Sequence, residues 1–220
     1  MESCDLARLI DHTNLRPDAT AADVRTLCAE AREHGFATAC VNPIWVATAA
    51  AELKGTDVGV CAVVGFPTGA HTTPIKVAEA IQCVRSGATE IDMVANHGWL
   101  KEGRDEDYKL DIAAVRAAIG SGVILKVIIE ASLLTEAQII RAAALVAAAG
   151  ADLVKTSTGI YGQARLEDVI LLRRILPPHV KIKAAGGIRT AEQARTLIDV
   201  GAERIGTSSS VEIAVGIQGR

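Results

Sequence analysis

ADLVKTSTG, residues Ala151 to Gly159, runs a short apolar pair, Leu153 and Val154, straight into a lysine, three hydroxyl residues and a glycine. This is the pattern of a buried strand that ends in a polar loop, and it delivers Lys155 to the rim of a core. A lysine so placed is either a buried cation with a partner or an amine stripped of water and made nucleophilic. VKIKAAGGIRT, Val180 to Thr190, repeats the layout and brings Lys183 to an equivalent strand end. Two such lysines in one mouth lower each other's affinity for protons.

The same layout recurs along the chain. LIDHT, TACVN, VGVCAVVG, EIDMVAN, LKVIIE, LVKTST, KIKAAGG and RIGTS are strand-length segments, in that order, each followed or preceded by an Ala-rich helical pattern. Repeated units of this kind build a parallel sheet, and runs such as VCAVV suit strands covered by helices. Eight units predict an α/β protein whose residues 1–220 form a single domain closed into a (β/α)8 TIM barrel. Helices are expected from Ala19 to Gly35, Thr73 to Ser86, Glu106 to Ile119, Thr135 to Ala149, Arg165 to Ile175 and Thr190 to Val200. Thr20 with Asp23, Thr135, and Thr190 with Gln193 are start signals, while SGATEID, AGADLVK and VGAERIG each place a glycine between a helix end and the next strand. The tail EIAVGIQGR carries too little pattern to assign.

The formal charge is −3, aromatic residues make up 3% of the chain, and no basic run occurs. Nucleic-acid and membrane-surface binding are therefore disfavoured, and a small-molecule partner fits better. No apolar run approaches about 18 residues, and MESCDLARLIDHT lacks the layout of a signal peptide, so a cytoplasmic protein is expected. The five cysteines, Cys4, Cys28, Cys40, Cys61 and Cys83, are scattered without a C-x-x-C pair and read as reduced thiols. The five histidines are equally dispersed. No metal and no cofactor are expected.

In such a barrel the site lies at the C-terminal ends of the strands. Alternation puts Lys126, Ile128 and Glu130 on one face of LKVIIE, Glu90, Asp92 and Val94 on one face of EIDMVAN, and Lys155 and Lys183 inward on theirs. Lys126 and Lys183 would then flank Lys155, with Asp92 and Asp11 available from strands further round. One reading is a structural ion network, with Lys126 paired to Glu130 or Asp92 and Lys155 to Asp152 or Asp11. The other reading counts charges: three lysines against few inward acids leave one amine poorly neutralised. GGIRT and GTSSS sit at strand-to-helix turns, where backbone N–H groups and a helix start make an anion site, and they belong to units seven and eight, where barrels frequently hold phosphate. These glycines could equally just permit tight turns. Three such loops converging on one corner favour a phosphorylated carbonyl compound as partner.

LIDHTNL, ACVNP, VVGFPTG, TEIDMV, KVIIE, VKTSTG, KAAGGIRT and GTSS together resemble the deoxyribose-phosphate aldolase family, Schiff-base class I aldolases of the (β/α)8 fold, from about Leu9 to Ser210. The resemblance implies reversible cleavage of 2-deoxy-D-ribose 5-phosphate to D-glyceraldehyde 3-phosphate and acetaldehyde, without a metal. It puts the Schiff-base lysine on Lys155, the second lysine on Lys183 and the acid/base aspartate on Asp92. Phosphate binding falls on Gly159, Gly186, Gly187, Ser208 and Ser209, joined by Gly206 of the same GTSS loop. Asp11, Cys40 and Lys126 are implied to lie close by. Ile160 stands where some members carry a lysine, and the tail ends VGIQGR where some carry a tyrosine, so a tail-tyrosine relay does not carry over. Two other functions remain open at this point: another Schiff-base barrel lyase acting on a different carbon skeleton, and a binding protein for sugar phosphates without turnover. Oligomeric state is open too, a homodimer being one option.

Overall fold

The computed structural model describes residues 6–218, which leaves Cys4 outside. Eight parallel strands follow one another round a closed barrel: β1 (Ile10–Asn14), β2 (Thr38–Val41), β3 (Gly59–Val64), β4 (Glu90–Val94), β5 (Ile124–Ile128), β6 (Leu153–Lys155), β7 (Lys181–Ala185) and β8 (Arg204–Thr207). The described residues also form nine helices: α1 (Ala21–His34), α2 (Val46–Glu52), α3 (Thr73–Arg85), α4 (His97–Glu102), α5 (Asp105–Ile119), α6 (Glu136–Ala148), α7 (Leu166–Ile175), α8 (Ala191–Asp199) and α9 (Ser210–Gln218). None of them is long and apolar enough to cross a membrane.

The expected punctuation is present. Thr20, Thr135 and Thr190 each close a capping box with the residue three places on, which satisfies amides the helix itself cannot. Gly87, Gly150 and Gly201 adopt φ of 107°, 79° and 115°, a left-handed backbone that lets a helix turn sharply into the next strand. Helices α2, α4 and α9 lie outside the expected set. VATAAAE of α2 is too uniformly small to show a period, and HGWLKE of α4 is too short. α4 is fixed instead by Asn96, which accepts from the Trp99 amide, and by Gly103 at φ 77°.

The main apolar core lies between barrel and helices. Ile91 and Met93 of β4, Leu125 and Val127 of β5, and Val154 of β6 point outward and meet helical residues such as Leu27, Ile112 and Val146. Each such buried side chain contributes roughly 1.5–3 kcal/mol. Inside the barrel, Cys40, Cys61 and Val63 form a small apolar group. Val94, Ile128 and Leu153 share the inward faces of their strands with the charged residues.

Candidate active site

Strand β4 brings Glu90 and Asp92 inward by alternation, and β1 brings Asp11. The three carboxylates face four cations, Lys126, Lys155, Lys183 and Arg204. Asp92 is the hub. Its Oδ2 accepts from the Nζ of Lys155 and of Lys183, both at 2.7 Å, and its Oδ1 accepts from Lys126 Nζ at 2.8 Å. Asp11 Oδ2 lies 2.5 Å from Lys183 Nζ, while its Oδ1 accepts from Arg204 at 2.6 Å and from the Thr38 hydroxyl at 2.8 Å. Glu90 completes the set, 2.6 Å from Lys126 and 3.2 Å from Arg204. With every group ionised the cluster keeps one positive charge in excess.

Burial works against the charged forms of Lys126 and Lys183, but Asp11 and Asp92 outweigh it and hold both ammonium groups well above the ordinary lysine range. Conversely, burial would raise Asp92, yet Lys126, Lys155 and Lys183 hold its carboxyl well below the usual carboxylate range. Lys126, Lys183 and Arg204 do the same for Asp11. The Cys61 thiol donates to Asp92 Oδ1 at 3.2 Å, and burial, Cys40 and Asp92 keep it protonated.

Above this cluster opens a cavity of about 730 Å³ at the C-terminal ends of the strands. Lys155, 3% exposed, is the one member of the charged cluster that lines it. Gly159, Gly186, Gly187, Gly206 and Ser208 line it as well. The amides of Gly159, Gly187 and Ser208 have no hydrogen-bond partner among the described residues, so three free donors belong to residues that line the cavity. Ser209 does not line the cavity, and its amide donates to Thr207 Oγ1 at 3.0 Å. That threonine donates in turn to the Ile188 carbonyl at 2.6 Å and ties the last two loops together.

The register corrects three details of the sequence reading. Lys155 stands opposite Lys183 on β7 but opposite Ile128 on β5; Lys126 is one inward layer lower, opposite Leu153. Glu130 and Asp152, named as pairing options, take no part. Asp152 pairs with Arg116 at 2.8 Å, and Glu130 binds Thr158. Gly206 also answers a steric demand, since a Cβ there would sit 2.9 Å from Lys183 Cε. Cys40 is fully buried beside Cys61, below the cavity.

Arg204 and Glu90 are additions to the expected site residues. Both occupy inward positions, and the pairing of Arg204 with Lys183 across β7 and β8 follows from strand alternation once the register is known. Two donor groups, Cys40 with Cys61 and Asp92, and Asp11 with Cys61 and Glu90, are close enough to hold an ion. Their carboxylates already face buried ammonium or guanidinium groups, which a dication would have to displace.

The family model described as "DeoC/LacD family aldolase" matches residues 6–213. A protein named deoxyribose-phosphate aldolase from Geobacillus sp. (strain WCH70) is 51% identical over 213 residues, 96% of each chain. One of the same name from Brevibacillus brevis is also 51% identical with the same coverage. Among solved structures, a putative deoxyribose-phosphate aldolase from Coccidioides immitis superposes with a TM-score of 0.96 at 45% identity, covering 99% of this chain and 87% of that one. A tetrameric deoxyribose phosphate aldolase from Aeropyrum pernix gives 0.92 at 35% identity, covering 99% and 93%.

Proposed function

Because this chain belongs to the DeoC/LacD family of aldolases, matched from residue 6 to residue 213, we propose that it cleaves its substrate through an imine formed on Lys155. The reaction is the reversible cleavage of 2-deoxy-D-ribose 5-phosphate to D-glyceraldehyde 3-phosphate and acetaldehyde. The observation that carries the choice of lysine is access. Lys155 alone of the buried cluster lines the cavity, while Lys183 is fully buried and committed to Asp11 and Asp92.

The neutral amine of Lys155 attacks the aldehyde carbon to give a carbinolamine, and loss of water leaves an iminium. Asp92, hydrogen-bonded to Lys155 at 2.7 Å, is placed to carry the protons of that dehydration, directly or through a water. Removing the proton from the C3 hydroxyl then sends the electrons of the C2–C3 bond into the iminium. Glyceraldehyde 3-phosphate leaves, and an enamine remains on Lys155. Protonation at C2 and hydrolysis return acetaldehyde and the free amine. Lys183 holds its charge throughout as a fixed cation beside the reacting nitrogen. The phosphate is held by the amides of Gly159, Gly187 and Ser208, which makes attack effectively intramolecular. Arg189 lines the same cavity and supplies positive charge that Ile160 does not, while Arg16, also in the lining, is paired with Asp18. On this reading the small-molecule partner is a sugar phosphate, a homodimer is one option for assembly, and the setting is the cytoplasm.

Incubation with 2-deoxyribose 5-phosphate should release acetaldehyde at a rate unchanged by prolonged EDTA treatment, with inorganic phosphate competing. Unphosphorylated deoxyribose should be captured far more weakly, because remote binding energy is lost. Equal efficiency on both sugars would reduce the loop glycines to turns. Preference for a ketose bisphosphate would move the reaction to another carbon skeleton.

A further inference from the structure

Glu130 is the one non-glycine among the described residues with positive φ, at 47°. It is also fully buried, and no lysine, arginine or histidine lies within salt-bridge distance among the described residues. Lys126, on the strand that precedes it, goes to Glu90 and Asp92 instead. A buried carboxylate without a cation, in a backbone conformation that L residues rarely adopt, is kept only where its contacts hold it firmly.

Glu130 Oε1 accepts from the Ser132 hydroxyl at 3.3 Å, and its Oε2 is given to the turn that follows Lys155. Glu130 Oε2 accepts from the Thr158 amide at 2.9 Å and from the Thr158 hydroxyl at 2.6 Å. The Thr158 Oγ1 in turn accepts from the Ile160 amide at 3.1 Å. Three of the four donors of Thr158 to Ile160 are thus turned into the protein, which leaves the amide of Gly159, a residue that lines the cavity, as the free one. On the other side, the Ile129 amide donates to the Lys155 carbonyl at 3.0 Å and the Ala131 amide to the Thr156 carbonyl at 2.8 Å. Glu130 therefore sits where the strand end that carries the amine is pinned to the turn that carries the anion donor.

We propose that Glu130 is a positioning residue that fixes the distance between the Lys155 amine and the phosphate donor at Gly159, and so selects for a phosphoryl group at the far end of the sugar. The inference rests on the reading of Gly159 as part of the phosphate anchor.

The test compares wild type, Glu130→Ala, Glu130→Gln and Thr158→Val by kcat/KM on phosphorylated and unphosphorylated deoxyribose, with acetaldehyde trapping by borohydride as a phosphate-free readout. Loss of hydrogen bonds to a charged group should lower the phosphorylated-to-unphosphorylated ratio by about ten- to a hundredfold in Glu130→Ala. Glu130→Gln, whose amide oxygen can accept the same two bonds, should recover part of it. Thr158→Val, which keeps the shape of the turn but not its hydroxyl, should lower the ratio to an intermediate value. Acetaldehyde trapping on Lys155 should persist. A uniform fall on both sugars and in trapping, tracking loss of thermal stability, would make Glu130 a structural residue only, and an unchanged ratio in Thr158→Val and either folded Glu130 variant would overturn the proposal. Inorganic phosphate keeps the two levels apart. If it fails to compete in wild type, the anchor reading fails; if it competes equally in wild type and variants, the Glu130 role fails alone.

Discussion

Lys155→Met is expected to lower turnover of deoxyribose 5-phosphate by about 10⁴-fold or more, the scale seen when a covalent nucleophile is removed. The fold should survive the change. Without Lys155 the interior keeps three cations, Lys126, Lys183 and Arg204, against Asp11, Glu90 and Asp92, and each remaining cation still has a carboxylate in contact. Lys155→Arg, which keeps the charge but offers no nucleophilic amine at accessible pH, should lose turnover equally. Steady-state kinetics and thermal melts of both variants check this. Turnover of either within tenfold of wild type would remove Lys155 from the chemistry.

Lys183→Met should act differently, through charge. Lys155 and Lys183 donate to the same Asp92 oxygen, so the two amines lie within hydrogen-bonding reach of one atom. The pKa of Lys183 is raised by Asp11 and Asp92, so its ammonium is fully present below the unfolded lysine value, about 10.4, and is lost only as pH rises through the higher folded value. It is therefore a constant cation from acid to mildly alkaline pH. Its removal leaves three cations for three carboxylates and takes the fixed positive charge away from beside the Lys155 nitrogen. Imine formation should slow near neutrality, and its dependence on pH should differ from that of wild type, because a fixed cation beside the reacting nitrogen is gone. Borohydride trapping rates measured across a pH series report this. If the profile of Lys183→Met coincides with that of wild type while activity is lost, Lys183 moves protons or touches substrate, and its electrostatic role is refuted.

Most of the barrel is readable in the sequence because apolar strand segments, capping boxes and left-handed glycines are local signals that the tertiary structure does not override. Where the reading falls short, a long-range contact decides. LVKTST looks like one strand to Thr158, but β6 stops at Lys155. There the Thr156 hydroxyl accepts from the Ala185 amide and donates to its carbonyl, and Thr158 turns to Glu130, so the side chains compete with the ladder. That Lys155, Lys183 and Asp92 face inward follows from alternation, and closure of the barrel brings them together. Arg204 is hidden in RIGTS because the glycine loop dominates that segment, and the arginine precedes it at the N-terminal end of the strand. Lys126 looks level with Lys155 in the sequence because strand stagger, which sets the layers of a barrel, leaves no trace within a single strand. The uncoupling of Glu130 from Lys126 needs the left-handed turn at Glu130, which nothing in KVIIE signals.

Which amine carries the imine is the central question, and one mapping experiment answers it. Wild-type protein incubated with acetaldehyde, reduced with borohydride, digested and mapped by mass spectrometry should carry its adduct on the peptide that contains Lys155, with Lys183 unmodified. An adduct on Lys183, or full turnover with no adduct on either lysine, would contradict the assignment of Lys155 as the nucleophile.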